Sequence, residues 1–217
     1  MNSREPLSIE GSLFLHSFRR CPFAIRVRMV LEEKGIPYSV LEENLANPSE
    51  ALLQMHPEGR VPLLVHVLSY EKRILFQSSV ITEYLEDFFS SHAVTLMPLG
   101  AWHRARIRLW TYECDQIFKP DLDLYKYELA SLENGAKAAL LLRLQNQFLK
   151  WDSELKDSPF FLGEALSLAD IHLFPFVRQF FAIKNSSFDL QTYPHLSRWL
   201  HSILERNSFH RVMERRN

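Results

Sequence analysis

The sequence predicts two domains of different class: an α/β domain with the element order βαβαββα over residues 12–89, then an all-helical domain over residues 101–217. Three observations carry this. Up to Phe88, short apolar runs of strand length alternate with amphipathic runs of helix length. Beyond Gly100 everything reads as helix, with apolar residues at helical spacing. Between the two, residues 90–100 mix polar positions with Pro98 and Gly100, the composition of a linker. Residues 1–11 are polar, contain Pro6 and end in Gly11, and read as a loose leader.

Composition narrows the function classes. A chain of 217 residues can bury a sizeable core. With 25 basic and 26 acidic residues it has no global field to gather nucleic acid or an acidic membrane, so no nucleic-acid partner is expected. No apolar run approaches the roughly 18 residues of a membrane helix, and Glu5 and Glu10 sit where a signal peptide would be basic and then apolar. Cys21 and Cys114 are too few for a disulfide framework and too far apart for a C-x-x-C pair. A cytoplasmic protein without a membrane partner is the expectation. The nine histidines include no H-E-x-x-H, and no Cys/His cluster has ligand spacing, so no metal site is expected.

In chain order, Leu13 to Phe18 reads as a buried strand. A helix follows, with Phe23, Val27, Val30 and Leu31 as its apolar stripe and Arg26, Arg28, Glu32, Glu33 and Lys34 on the polar side. Pro22 suits its first position, and Gly35 followed by Pro37 ends it. Tyr38 to Leu41 is a second strand, parallel to the first through a right-handed crossover. Asn47-Pro48-Ser49 opens a short helix to about Met55, and Pro62 stands at the entrance of the next strand, where no ladder N–H is lost. A hairpin through residues 69–72 leads to Ile74 to Phe76, and Ser78 or Ser79 caps the helix that runs to Phe88.

Cys21 falls at the N-cap of the first helix. Taken alone, a free cysteine is more often an inert apolar filler than a nucleophile. Here the unpaired N–H groups and positive end of the helix favour thiolate, and Arg19 and Arg20 can add to that. The expectation is a reactive thiol with a lowered pKa. Cys114, among Tyr112, Ile117 and Phe118, reads as plain core.

The βαβαββα order, the thiol at the first helix start, Val61-Pro62 before the third strand and Gln77-Ser78 opening the third helix together resemble the thioredoxin-like domain of cytosolic glutathione transferases. The resemblance runs from about residue 12 to residue 206. Cys21-Pro22-Phe23-Ala24 followed by Arg26, Arg28, Val30 and Leu31 looks most like the omega class and related cysteine-type members. It implies that Cys21 forms a mixed disulfide with glutathione as co-substrate. It also implies that Pro62 is cis, that Phe23 and the Val61 backbone line the glutathione site, and that Gln77 and Ser78 hold the γ-glutamyl end. Trp102 would line an acceptor pocket for a small electrophilic or disulfide substrate, and the protein would be a homodimer. Gln77 stands where omega-type members show an acidic residue, Asn47-Pro48 where they carry a lysine, and Met55-His56-Pro57 where Asn-Pro is more usual. The chemistry of the residues agrees with the resemblance. Ser78 at a helix start is a ready anion site for a carboxylate. Ala24 occupies the place of a dithiol enzyme's second cysteine, so a mixed disulfide on Cys21 must be resolved by an external thiol.

In the second half, residues 102–118 form a long helix with Ala105, Leu109, Tyr112 and Ile117 on its apolar side, interrupted at Lys119-Pro120. Residues 121–132 form an irregular helix, and residues 135–155 a long one with Leu141, Leu144, Phe148 and Trp151 in register. Ser167 and Asp170 make an Asp version of a capping box with Leu166 and Ile171 as its staple, a structural feature. The helix that follows, to Ile183, is apolar almost all round; His172 on it is a satisfied core residue. Tyr193-Pro194 starts the last long helix, and residues 205–217 are charged and fray. Arg104, Arg106 and Arg108 with Trp102 form a solvated or subunit-facing surface in preference to a nucleic-acid patch.

Two functions fit. One is a cysteine-type transferase catalysing thiol transfer, dehydroascorbate-like reduction or deglutathionylation. The other is a protein that kept the fold and lost turnover, acting as a binding or regulatory partner in the manner of stringent-starvation proteins.

Overall fold

The computed structural model describes residues 11–92, 94–184 and 186–214. The expected leader lies outside them, apart from Gly11. The chain divides into two compact units, Met1–Thr95 with His210–Asn217, and Leu96–Phe209.

The first unit runs β1 (Ser12–Ser17), α1 (Pro22–Lys34), β2 (Ser39–Glu42), α2 (Glu50–Met55), β3 (Leu63–Val67), β4 (Lys72–Phe76) and α3 (Ser78–Phe88), the order expected. Its four-stranded sheet is ordered β2-β1-β3-β4, with β1 parallel to β2 and the other two pairs antiparallel. Strand alternation gives the sheet two apolar faces: Leu63 and Val65 of β3 cluster with Leu52 of α2, edged by Phe14, Met55 and Val61. Helices α1 and α3 pack against each other. Gly35 ends α1 at φ 65°, with the Ile36 N–H returning to the Leu31 carbonyl at 2.9 Å. A Cβ there would meet no atom within 4 Å, so the backbone conformation alone calls for glycine.

The polar side expected for α1 is not polar in place. Arg26, Arg28 and Lys34 are all buried, because α1 is enclosed on nearly every side. Lys34 pairs with Glu86 at 2.9 Å and donates to the Val94 carbonyl at 2.8 Å, and both charged side chains are shut from water.

The second unit contains α4 (Ala101–Tyr112), α5 (Lys119–Asp123), α6 (Asn134–Glu154), α7 (Leu168–Phe181) and α8 (Pro194–Leu204). The last helix, α9 (Asn207–Met213), starts in this unit and has its final residues in the first. Three expectations are corrected here. The break at Lys119-Pro120 is absent: π-helical segments Glu113–Phe118 and Leu124–Glu128 flank α5, and the wider turn ahead of Pro120 carries a residue with no N–H. On α4 the buried residues are Ile107, Trp110 and Thr111, while Leu109, Tyr112 and the following Ile117 are exposed. This helix is apolar on both sides, so periodicity could not choose the inner one. The supposedly frayed end is helix α9, with Phe209 and Val212 buried.

The core of this unit is aromatic. Phe118 meets Trp151 and Phe148 meets Phe180 edge to face, both at 4.8 Å between centroids. Helix α7 is buried all round and carries the expected capping box. Asp170 accepts from Phe161 N–H and Trp199 Nε1–H through Oδ1, each at 2.9 Å. Through Oδ2 it accepts from the Ser167 N–H at 2.9 Å and hydroxyl at 2.7 Å. Burial pushes its carboxyl above the ordinary carboxylate range against the pull of those donors. Cys114 is buried with its S–H toward the His172 carbonyl, and His172 Nδ1 lies 2.7 Å from Thr111 Oγ1, as core residues. No described helix is long and apolar enough to cross a membrane.

Candidate functional site

The site begins with a turn. The Cys21 N–H donates to the Phe18 carbonyl at 2.9 Å, closing residues 18–21 between β1 and α1. Cys21 is the N-cap of α1, in extended conformation at φ −72° and ψ 119°, and its carbonyl accepts from Ile25 at 3.0 Å. Pro22 sits at the first position, where a missing N–H costs nothing, and no acidic residue occupies the first turn. Cys21 is partly exposed and its S–H donates to the Val61 carbonyl at 3.9 Å. The Val61–Pro62 peptide bond is cis.

The flanking arginines are directed elsewhere than the sequence suggested. Arg19 Nη1 donates to the Met213 carbonyl at 3.1 Å, and the Arg20 guanidinium lies over the Phe18 ring at 5.6 Å. The cation the sequence reading misplaced is Arg26. Fully buried, it donates from Nη1 to Ser78 Oγ at 3.2 Å and lies 5.2 Å from the Phe23 ring centroid. It thereby links the helix that carries the thiol to the start of α3. The signal was available in principle: Arg26 is a basic residue inside an otherwise apolar turn of α1.

Ser78 is the first residue of α3 and is buried. Gln77 before it is held at φ 68° and ψ 115°, the one residue other than glycine with positive φ among those described. Such a conformation costs on the order of 1–3 kcal/mol and persists only where the surroundings impose it. Trp102 belongs to the second unit, strongly exposed in the first turn of α4. The structure thus brings Cys21 to Val61, and Phe23 to Ser78 through Arg26.

A buried polar cluster lies at the C-terminal end of β1, just before the turn that carries Cys21. His16 Nδ1 is 2.6 Å from Glu43 Oε1, which also accepts the Ser49 hydroxyl at 2.8 Å, while Glu43 Oε2 accepts the Ser49 N–H at 2.9 Å. Ser49 in turn caps α2 through the Leu52 N–H. Burial pushes the Glu43 carboxyl up, but the bonds from His16 and Ser49 and the His16 charge outweigh it and hold the group low. Neither His16 nor Glu43 was singled out in the sequence, where they stand far apart.

A four-stranded sheet of this order with its helices, followed by a helical unit, is the architecture of the glutathione transferases. The family description "Glutathione S-transferase, N-terminal domain" matches residues 20–87, and "Glutathione S-transferase, C-terminal domain" matches residues 117–207. Glutathione S-transferase U1 of Arabidopsis thaliana is 30% identical over 203 residues, covering 90% of this chain and 86% of that protein. The Tau class glutathione S-transferase of mango, Mangifera indica, is 25% identical with a TM-score of 0.81 over 94% of this chain and 93% of that one. Glutathione transferase Omega 3C of Trametes versicolor shares the fold at a TM-score of 0.82 and 24% identity, covering 95% and 90% of the two chains. The chain belongs to the glutathione S-transferase family. Tau and omega structures both stand among those it resembles.

Proposed function

We propose that the protein is a glutathione-dependent thiol transferase with Cys21 as its nucleophile. The observation that carries the reading is a partly exposed thiol at the N-cap of α1, where the positive end of the helix favours thiolate. The Cys21 thiolate attacks the glutathionyl sulfur of a mixed disulfide; a Cys21–glutathione disulfide forms and the substrate thiolate leaves. A second glutathione thiolate then attacks the glutathione sulfur of that disulfide, releasing oxidised glutathione and regenerating the Cys21 thiolate. Dehydroascorbate-like reduction would instead consume two free glutathione thiols, the pair of electrons passing to the substrate and the two sulfurs leaving as oxidised glutathione. The Val61 main chain beside the thiol would pair with the tripeptide backbone, with Phe23 and Pro62 shaping the groove. Gln77 and Ser78 would take the γ-glutamyl carboxylate at the start of α3, and Arg26 would orient Ser78 for this. Trp102 would face the acceptor. Residues 12–89 would act as the glutathione domain and residues 101–217 as the helical one. The exposed Ile74, Phe76 and Val80 support assembly as a homodimer. A reducing, cytoplasmic setting suits a free thiol.

The test is alkylation of Cys21 across pH with and without glutathione, beside turnover of a glutathionylated peptide. A thiol reacting well below the ordinary cysteine range near 8.5, protected by glutathione, with turnover lost in Cys21→Ala, is the expected result. An ordinary titration without protection refutes it. A second reading, a non-catalytic binding protein, draws its support from Asn47-Pro48, which stand where a glutathione-binding lysine was expected. It predicts retained partner capture in Cys21→Ala.

A further inference from the structure

We propose that the last turn of α9 is a clasp on the helix that carries the thiol, with Arg19 and Arg211 as positioning residues for Cys21. The proposal rests on the reading of Cys21 as the reacting group.

The turn of residues 18–21 sets Cys21 as the N-cap, and Arg19 inside that turn is tied down twice. Its main-chain N–H donates to Glu42 Oε1 at 2.7 Å, and its Nη1 donates to the Met213 carbonyl at 3.1 Å. Met213 ends α9, so its carbonyl is one of those that no N–H within the helix satisfies. The guanidinium therefore closes the open end of α9 and meets its negative dipole end. Two residues earlier, Arg211 Nε donates to Glu32 Oε2 at 2.9 Å. The other oxygen of Glu32 accepts the Tyr38 hydroxyl at 2.9 Å.

Glu32 stands in the last turn of α1, and Arg19 just before its first. One turn of α9 thus holds α1 at both ends, with the buried Val212 between the two grips. A cleft of about 310 Å³ lined by Leu31, Gly35, Ile36, Tyr38 and Arg211 lies beside the Glu32 grip. The Glu32 grip itself is an ion pair made by a half-exposed Arg211, so a single substitution removes it while Val212 stays buried. The charged groups at the turn are Arg20, over the Phe18 ring, and Glu42 at the end of β2, while Arg26 on α1 is turned to Phe23 and Ser78 and Arg211 on α9 to Glu32.

The N–H groups of the first turn of α1 favour the thiolate only while Cys21 keeps its cap geometry. Loosening the turn lets the cap fray, and the thiol returns toward ordinary behaviour. The experiment uses the full chain and compares Arg19→Ala, Arg211→Ala and Arg211→Lys with the wild type. Cys21 alkylation by iodoacetamide is followed over about pH 5 to 10, and amide exchange is followed at Ile25, whose N–H bonds to Cys21.

Both alanine variants should raise the alkylation midpoint by about half a unit, roughly threefold in thiolate fraction near neutrality, and speed exchange at Ile25. Arg211→Lys should restore the wild-type profile. A merely structural clasp would lower the unfolding midpoint and leave the profile in place. Alanine variants whose profile and Ile25 exchange superimpose on the wild type overturn the proposal. Should Arg19→Ala not fold, the exposed Arg211 carries the test. If the wild-type thiol titrates as ordinary cysteine, the proposed function falls. The clasp is then judged by Ile25 exchange alone, where faster exchange in Arg211→Ala supports it and unchanged exchange overturns it.

Discussion

Replacing Asp170 by asparagine tests whether the second unit is held by one buried carboxylate. Its four donors come from three places in the chain: Phe161, the Ser167 N–H and hydroxyl, and Trp199 on α8. An asparagine keeps one acceptor oxygen. Its amide is best turned toward Ser167, because the hydroxyl can rotate to accept while only the Ser167 N–H is stranded. A stranded buried donor costs about 1–3 kcal/mol, and the two bonds kept on oxygen lose the charge that made them strong, about 1 kcal/mol each. Relief of a buried charge offsets part of this, since burial already pushes the Asp170 carboxyl up. The net expectation is a loss of roughly 2–4 kcal/mol for Asp170→Asn, and more than about 4 kcal/mol for Asp170→Ala, which strands every donor. Urea unfolding followed by tryptophan fluorescence measures it, as a lower midpoint at unchanged slope. A loss under about 1 kcal/mol for Asp170→Asn, or an alanine variant no worse than the asparagine one, would refute the reasoning.

Other expectations follow from the first unit. Lys34→Met takes the ion-pair partner from the buried Glu86 and should cost about 3–5 kcal/mol, whereas Lys34→Met with Glu86→Leu should recover most of it; chemical denaturation of both variants decides. Glu43 has a carboxyl held below its ordinary 4.5, so the stability it contributes is whole above that value in the unfolded chain and lost as pH falls through the lower, folded one. The urea midpoint should therefore drop as pH falls below about 4.5, and Glu43→Gln should flatten that drop. An equal acid slope in wild type and variant would exclude Glu43 as its source.

The order of elements was legible because each sheet face and helix stripe of the first unit leaves a period in the sequence, and because Pro22, Gly35 and Ser167 mark helix ends by local chemistry. What stayed hidden depends on enclosure. Arg26 and Lys34 look like solvent-facing residues until their partners, Ser78 and Glu86, are brought in from α3. The same holds for the charged residues 205–217: Val212 and Phe209 needed a surface to bury against before a helix could be worthwhile there. At the site, the placement of Cys21 was readable from Pro22 alone. The destinations of Arg19 and Arg20 were not, because Arg19 bonds a carbonyl at the other end of the chain.

The conformation of Gln77 has a consequence for laboratory evolution. At φ 68° the backbone would be more at ease with glycine, so a screen that rewards only thermal tolerance should drift toward Gln77→Gly. On the proposed role of Gln77 in holding glutathione, a screen that rewards glutathione turnover should hold the glutamine. Where the two selections part company along this chain, position 77 is a place to look for the divide between what keeps the protein folded and what keeps it employed.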